Sequence, residues 1–147
     1  ALSLMLSQGQ MDATGYVLVE KPLLCQEDVR ILQLAKAAIR AAVDTLLFEM
    51  QIDAEEIDAV FIAGAFGSHI EVKDIEKTGL LDAVLLKKIS LRENAVLDGA
   101  FLYTKAALEA DFHAVSSLVE KEFSQTTLVQ LADNAFFAKA YIEAMSF

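Results

Sequence analysis

One junction constrains this chain more than any other. The apolar, partly β-branched run Val60-Phe61-Ile62-Ala63 stops abruptly on Gly64-Ala65-Phe66-Gly67. The run reads as a buried strand over 59–63. Two glycines at its end let the backbone turn with positive φ and let another group come close to the main chain. Such a turn cradles nucleotides in some proteins and merely turns a corner in others. Gly-x-x-Gly by itself is a weak signal, so its neighbours decide what it means.

The strongest neighbour is a long helix predicted from Gln26 to about Met50, with Glu27 and Asp28 favouring the positive end of its dipole. Ile31, Leu34, Ala35, Ala38, Ile39, Ala42, Leu46 and Leu47 follow the 3,4 spacing of a buried face. Ala37 and Ala41 would let something approach the helix backbone. Gln33, Lys36, Arg40 and Asp44 form a polar stripe, which ordinarily is the solvated face.

The remaining pattern alternates strands and helices. Residues 1–8 mix strand-like alternation with helix-forming residues, and Asp12-Ala13-Thr14-Gly15 reads as a turn. Tyr16–Val19 reads as a short strand closed by Pro22. Glu71–Thr78 is a predicted helix stopped by Gly79. Leu85–Leu91 and Thr127–Gln130 read as strands; Ala95–Ala110, Phe112–Phe123 and Asn134–Met145 read as helices. Gly99-Ala100 inside a helix implies close packing, since Gly costs about 1 kcal/mol there relative to Ala. The order predicts one α/β domain of layered type spanning residues 1–147.

Composition excludes several function classes. A net charge of −10 repels phosphate backbones and anionic lipid, so neither nucleic acid nor a membrane is an expected partner. No apolar run approaches the ~20 residues of a membrane span. Apolar residues at 55% exceed the usual ~45–50%, which points to a face covered by another domain or subunit. The chain opens on Ala1 without Met and reads as a piece of something longer. Its single cysteine, Cys25, cannot form an internal disulfide or hold an iron–sulfur cluster alone, and fits the cytoplasm. His69 and His113 have no His or Cys at ligand spacing, so no metal site is expected. No Gly-x-Ser-x-Gly elbow, phosphate loop or Gly-x-Gly-x-x-Gly is present, and no catalytic residue can be named.

Taken together, Gln33-Leu34-Ala35-Lys36-Ala37-Ala38-Ile39-Arg40, Ala63-Gly64-Ala65-Phe66-Gly67, Gly79-Leu80-Leu81, Asn94-Ala95 and Gly99-Ala100 resemble the C-terminal ATPase-like domain of the reductive activators of corrinoid proteins. The resemblance covers nearly the whole chain. It also favours helix over strand for residues 1–8.

The resemblance implies a layered half of an actin/chaperone-ATPase-like (ribonuclease H-like) α/β fold, helix-rich with a small sheet. It implies a cytoplasmic protein that uses ATP with Mg to drive an electron from a [2Fe-2S] cluster, held in a domain absent from this chain, to Co(II) corrinoid on a partner methyltransferase protein. Gly64, Ala65, Phe66 and Gly67 then form the adenosine-side turn, and Gln33 and Lys36 face adenine and ribose. Arg40 lies one turn further along.

Four departures narrow this. The family commonly reads Gly-Asn-Ala where this chain has Glu93-Asn94-Ala95, and Asp98 precedes Gly99. Near a nucleotide, those carboxylates would repel phosphate by ~1 kcal/mol or more each unless they faced solvent or helped to hold Mg²⁺. The phosphate-gripping hairpins and the cluster cysteines are missing. The chain alone is therefore expected to be inactive, supplying one wall of a cleft. The alternative is a module kept for homodimerisation or for docking the corrinoid protein, with marginal nucleotide binding.

Overall fold

The computed structural model describes residues 1–109 and 112–147, all with side chains except Phe66 and Ser68. It is helix-rich, with one small parallel sheet of two strands. The chain divides into two compact units.

The first unit comprises residues 1–60, 70–89 and 130–147. Its helices are α1 (Leu2–Ser7), α2 (Gln26–Met50), α4 (Val72–Thr78), α5 (Ala83–Leu86) and α8 (Ala135–Glu143), with a 3-10 turn at Ala54–Glu56. The second unit, residues 61–69 and 90–129, contains most of β1 (Val60–Ala63), α3 (Gly64–His69), most of β2 (Ile89–Arg92), α6 (Ala95–Glu109) and α7 (Phe112–Ser124).

In the first unit, α2 packs along α8. Ala37 and Ala41 are fully buried on α2, as is Ala140 on α8 to within 9%. Phe48 and Phe136 stack with centroids 4.2 Å apart. Asn134 caps α8 by accepting from Phe137 N–H at 3.0 Å, and donates to Glu49 at 2.7 Å. A second cluster joins Met5 of α1, Met11 and Val29 of α2, with Val17, Leu24 and Phe147 packed against it.

The buried side of α2 is not the predicted one. Val29, Gln33, Lys36, Ala37, Ala41 and Thr45 are inside, whereas Ile31 is 60%, Ile39 44% and Leu46 44% exposed. Two forces turn the helix. Close packing on α8 selects the small residues, and main-chain carbonyls near Gln33 and Lys36 satisfy the polar groups that burial would otherwise penalise.

Three predicted strands change. Tyr16–Val19 contributes only an isolated antiparallel bridge, Met11 to Val17, across the Asp12–Gly15 turn. Over 85–91, the Asp82 side chain accepts from Val84 N–H at 2.9 Å and caps α5, so pairing begins only at Ile89. Thr127–Gln130 forms no strand; the sheet of the described residues holds β1 and β2 alone. The helices over 1–8, 26–50, 71–78, 95–110, 112–123 and 134–145 all appear, with ends shifted by at most a few residues. Ala110 lies outside the described residues.

In the second unit, α6 packs against α7, with Tyr103 Oη 3.0 Å from Ser116 Oγ and Tyr103 edge-on to Phe112. Gly99 does not meet the close neighbour expected: a Cβ there would find nothing within 4 Å. No residue of α6 or α7 is buried among those described.

Candidate functional site

The glycine turn is a strand-to-helix junction without an intervening loop. β1 ends at Ala63 and α3 begins at Gly64. Gly64 sits at φ +76°, a backbone conformation that L side chains rarely adopt, and a Cβ there would meet nothing within 4 Å among the described residues. Its backbone is therefore open to approach. Gly67 is glycine for a different reason: a Cβ would lie 2.6 Å from the Ile62 carbonyl oxygen. The first glycine sets the direction of the turn, and the second lets the first turn of α3 fold back against β1. Ala65 is exposed, and its carbonyl lies 3.0 Å from His69 Nδ1. The Phe66 side chain, assigned to the lining of this turn, lies outside the described residues. On β2, the Arg92 guanidinium stands 5.7 Å from the Phe61 ring centroid. Glu93 and Asp98 are both exposed.

Gln33 and Lys36 belong to the other unit, and both are buried, at 3% and 6% exposure. Gln33 Nε2 donates to the carbonyls of Thr14, at 3.0 Å, and Met145. Lys36 Nζ donates to the Ser146 carbonyl and lies 5.0 Å from the Phe147 ring centroid. Phe147 N–H in turn donates to Ala13 O at 2.8 Å. Gly15, at φ +82°, has room for no side chain: a Cβ would stand 3.2 Å from the Phe147 ring and 3.1 Å from the Gln33 amide. The half-polar stripe of α2 is thus a slot that the residues after α8 fill. Burial first, then the Arg40 charge, pushes the Lys36 ammonium down to about 8.

Beside it, α2 and α8 border a cleft of about 390 Å³ reached by Lys36, Arg40, Asp44, Gly79, Phe136 and Ser146. Arg40 carries two ion pairs there. Its Nε lies 2.8 Å from Asp44 and its Nη2 2.9 Å from Asp82. The Asp82 pairing was not anticipated; a lone Asp before an apolar run was the cap signal that pointed to it.

The structure thus brings Gln33, Lys36 and Arg40 together on one helix of the first unit, and Gly64, Ala65 and Gly67 together in the second. Asp12-Ala13-Thr14-Gly15 is a turn, as read: Asp12 Oδ1 accepts from Thr14 N–H, Thr14 Oγ1 and Tyr16 N–H at 2.8, 2.6 and 3.0 Å. Among the described residues, no cluster of His, Cys, Asp and Glu could hold a metal ion. No helix of the described residues is long and apolar enough to cross a membrane.

For ATP the fit is partial: in the second unit the Gly64 turn offers a backbone with positive φ, and in the first unit the Gln33 and Lys36 donors are turned to main-chain carbonyls. A [2Fe-2S] cluster does not fit, because Cys25 is the single thiol.

Comparison with known proteins agrees with the residues. Residues 5–147 match the family described as the C-terminal domain of RACo, the ASKHA domain. A relative, the corrinoid activation enzyme RamQ of Eubacterium limosum, is 31% identical over 121 residues, covering 82% of this chain. The chain spans 19% of that relative's length. With nearly all of its length matched, the chain belongs to the family of C-terminal ASKHA domains of RACo.

Proposed function

We propose that this chain is the C-terminal part of an ATP-dependent reductive activator of a corrinoid protein. In the full-length protein, ATP with Mg drives an electron from a [2Fe-2S] cluster, carried elsewhere in the polypeptide, to the Co(II) corrinoid of a partner methyltransferase protein. The reading puts the protein in the cytoplasm and makes the isolated chain inactive. Membership of the RACo C-terminal family and the name of the relative RamQ support a role in corrinoid activation.

The observation that carries the nucleotide role is the junction at Gly64. A positive-φ glycine opens α3 directly from a strand, with free space where a side chain would stand. Gly64, Ala65, Phe66 and Gly67 take the adenosine side of the nucleotide; for Gln33 and Lys36 of the first unit, a role towards base and ribose rests on the family resemblance. This chain's residues bind and orient; phosphate chemistry belongs to residues outside it. Glu93 and Asp98 face solvent, where their charge is screened and tolerated near a nucleotide. Titrating ATP·Mg into the full-length protein and its Gly64→Val and Lys36→Ala variants tests the assignment. Unchanged affinity in both removes these residues from the site.

A second reading has its own observation. The first half of α6, Ala95–Leu102, is apolar apart from Asp98 yet exposed on every side, with Val96 81% and Leu97 67% exposed. A helix apolar all round is normally buried. This favours a docking or homodimerisation module with little nucleotide binding. A monomeric mass together with no co-elution with a corrinoid protein would exclude it.

A further inference from the structure

We propose that the segment Met145–Phe147 is a strap over the polar slot of α2, which must leave before Gln33 and Lys36 can take a nucleotide. This inference rests on the nucleotide reading of that slot and adds its regulation.

The hydrogen-bond arithmetic carries it. The Gln33 amide has two N–H donors, and both are spent, on Thr14 O and Met145 O. Its Oε1 already accepts from Arg30 at 3.3 Å. Lys36 is 6% exposed, with its ammonium on the Ser146 carbonyl and under the Phe147 ring. While the strap is down both Gln33 N–H donors are taken, and Lys36, which borders the cleft beside α2 and α8, turns its ammonium to the Ser146 carbonyl and the Phe147 ring.

The polar part of the strap is exchangeable. Met145 and Ser146 are held through their carbonyls and Phe147 through its N–H on Ala13 O, while the Phe147 ring packs against Gly15 and the Met5, Met11 and Val29 cluster. Water can satisfy each released carbonyl, and ligand oxygens can satisfy the two side chains left behind. Exchange of strap for nucleotide therefore keeps the buried donors paired on both sides. Apparent affinity is reduced by the fraction of molecules in which the strap is open.

The test uses the full-length protein, with ATP·Mg as the probe. Affinity is measured for wild type, Phe147→Ala, a deletion of Met145–Phe147, and Lys36→Ala. Hydrogen exchange at the Phe147 amide is followed in wild type with and without nucleotide. If the strap is closed about nine-tenths of the time, the two strap variants bind about tenfold more tightly. The Phe147 amide exchanges faster once nucleotide is present. Equal or weaker binding by the strap variants, with the Phe147 amide equally protected in the nucleotide complex, overturns the strap. If Lys36→Ala still weakens binding in that case, the nucleotide slot survives without it. Failure of wild type to bind ATP·Mg overturns both. Should Phe147→Ala not fold, the exchange measurement on wild type decides.

Discussion

Arg40 and Asp82 meet across the first unit, with Nη2 2.9 Å from Oδ2. The contact ties α2 to the residue that caps α5, because the other Asp82 oxygen accepts from Val84 N–H. Asp82→Ala therefore loses a cap and an ion pair together and lowers stability by about 1–2 kcal/mol in urea unfolding. The Val84 N–H, and then the Arg40 guanidinium, hold the Asp82 carboxyl below the ordinary 3.8. The depressed value means that this contribution is fully present above pH 3.8 and is lost as pH falls through the lowered value. Asp82→Asn flattens that acid limb.

The two glycines of the turn answer differently to alanine. Gly67→Ala drives a Cβ to 2.6 Å from the Ile62 carbonyl and forces backbone to move. It costs about 1–3 kcal/mol, as overpacking does. Gly64→Ala meets no atom but must hold φ near +76°, a strain of about 1–2 kcal/mol. Thermal unfolding of the two variants checks the order, with Gly67→Ala lower.

Lys36 gives a signature at alkaline pH. Its buried ammonium titrates at about 8 rather than 10.5, so between those values the unfolded chain holds more protons than the folded one. Stability therefore rises with pH across that window. Lys36→Met removes the rise; unfolding measured at both ends of the window reads the difference. A wild type that loses stability there contradicts the placement of Lys36.

Asp12 is a turn-former and not a phosphate ligand. Its Oδ1 serves three donors of its own turn, first among them the Thr14 hydroxyl, which lowers its pKa. Asp12→Ala speeds hydrogen exchange at the Tyr16 amide and leaves ATP·Mg affinity of the full-length protein unchanged. A large loss of affinity would contradict the turn-only role of Asp12-Ala13-Thr14-Gly15.

Much of this architecture is legible in the chain itself. The start of α2 at Gln26, the stop at Gly79 and the cap at Asn134 are local decisions, made by propensity, positive φ and one side chain each. The same locality let Asp58–Ser68 announce a strand ending on glycines. The inner face of α2 was hidden because it depends on contacts more than a hundred positions away. Gln33 and Lys36 are buried by the carbonyls of Met145 and Ser146, and no 3.6-residue pattern on α2 carries that information. Thr127–Gln130 has strand-like residues but no strand beside it, and pairing is non-local too. The family motifs named the glycine turn and the polar stripe as candidates; the strap over that stripe is a tertiary fact.

The central claim is that the open backbone at Gly64 receives a nucleotide. The most direct measurement is a calorimetric titration of ATP·Mg into the full-length protein and its Gly64→Val variant, with folding of both confirmed by circular dichroism. Saturable binding by wild type and at least about tenfold weaker binding by the variant, a loss of about 1.4 kcal/mol, is the result this account predicts. Equal affinity in the two folded proteins would contradict it.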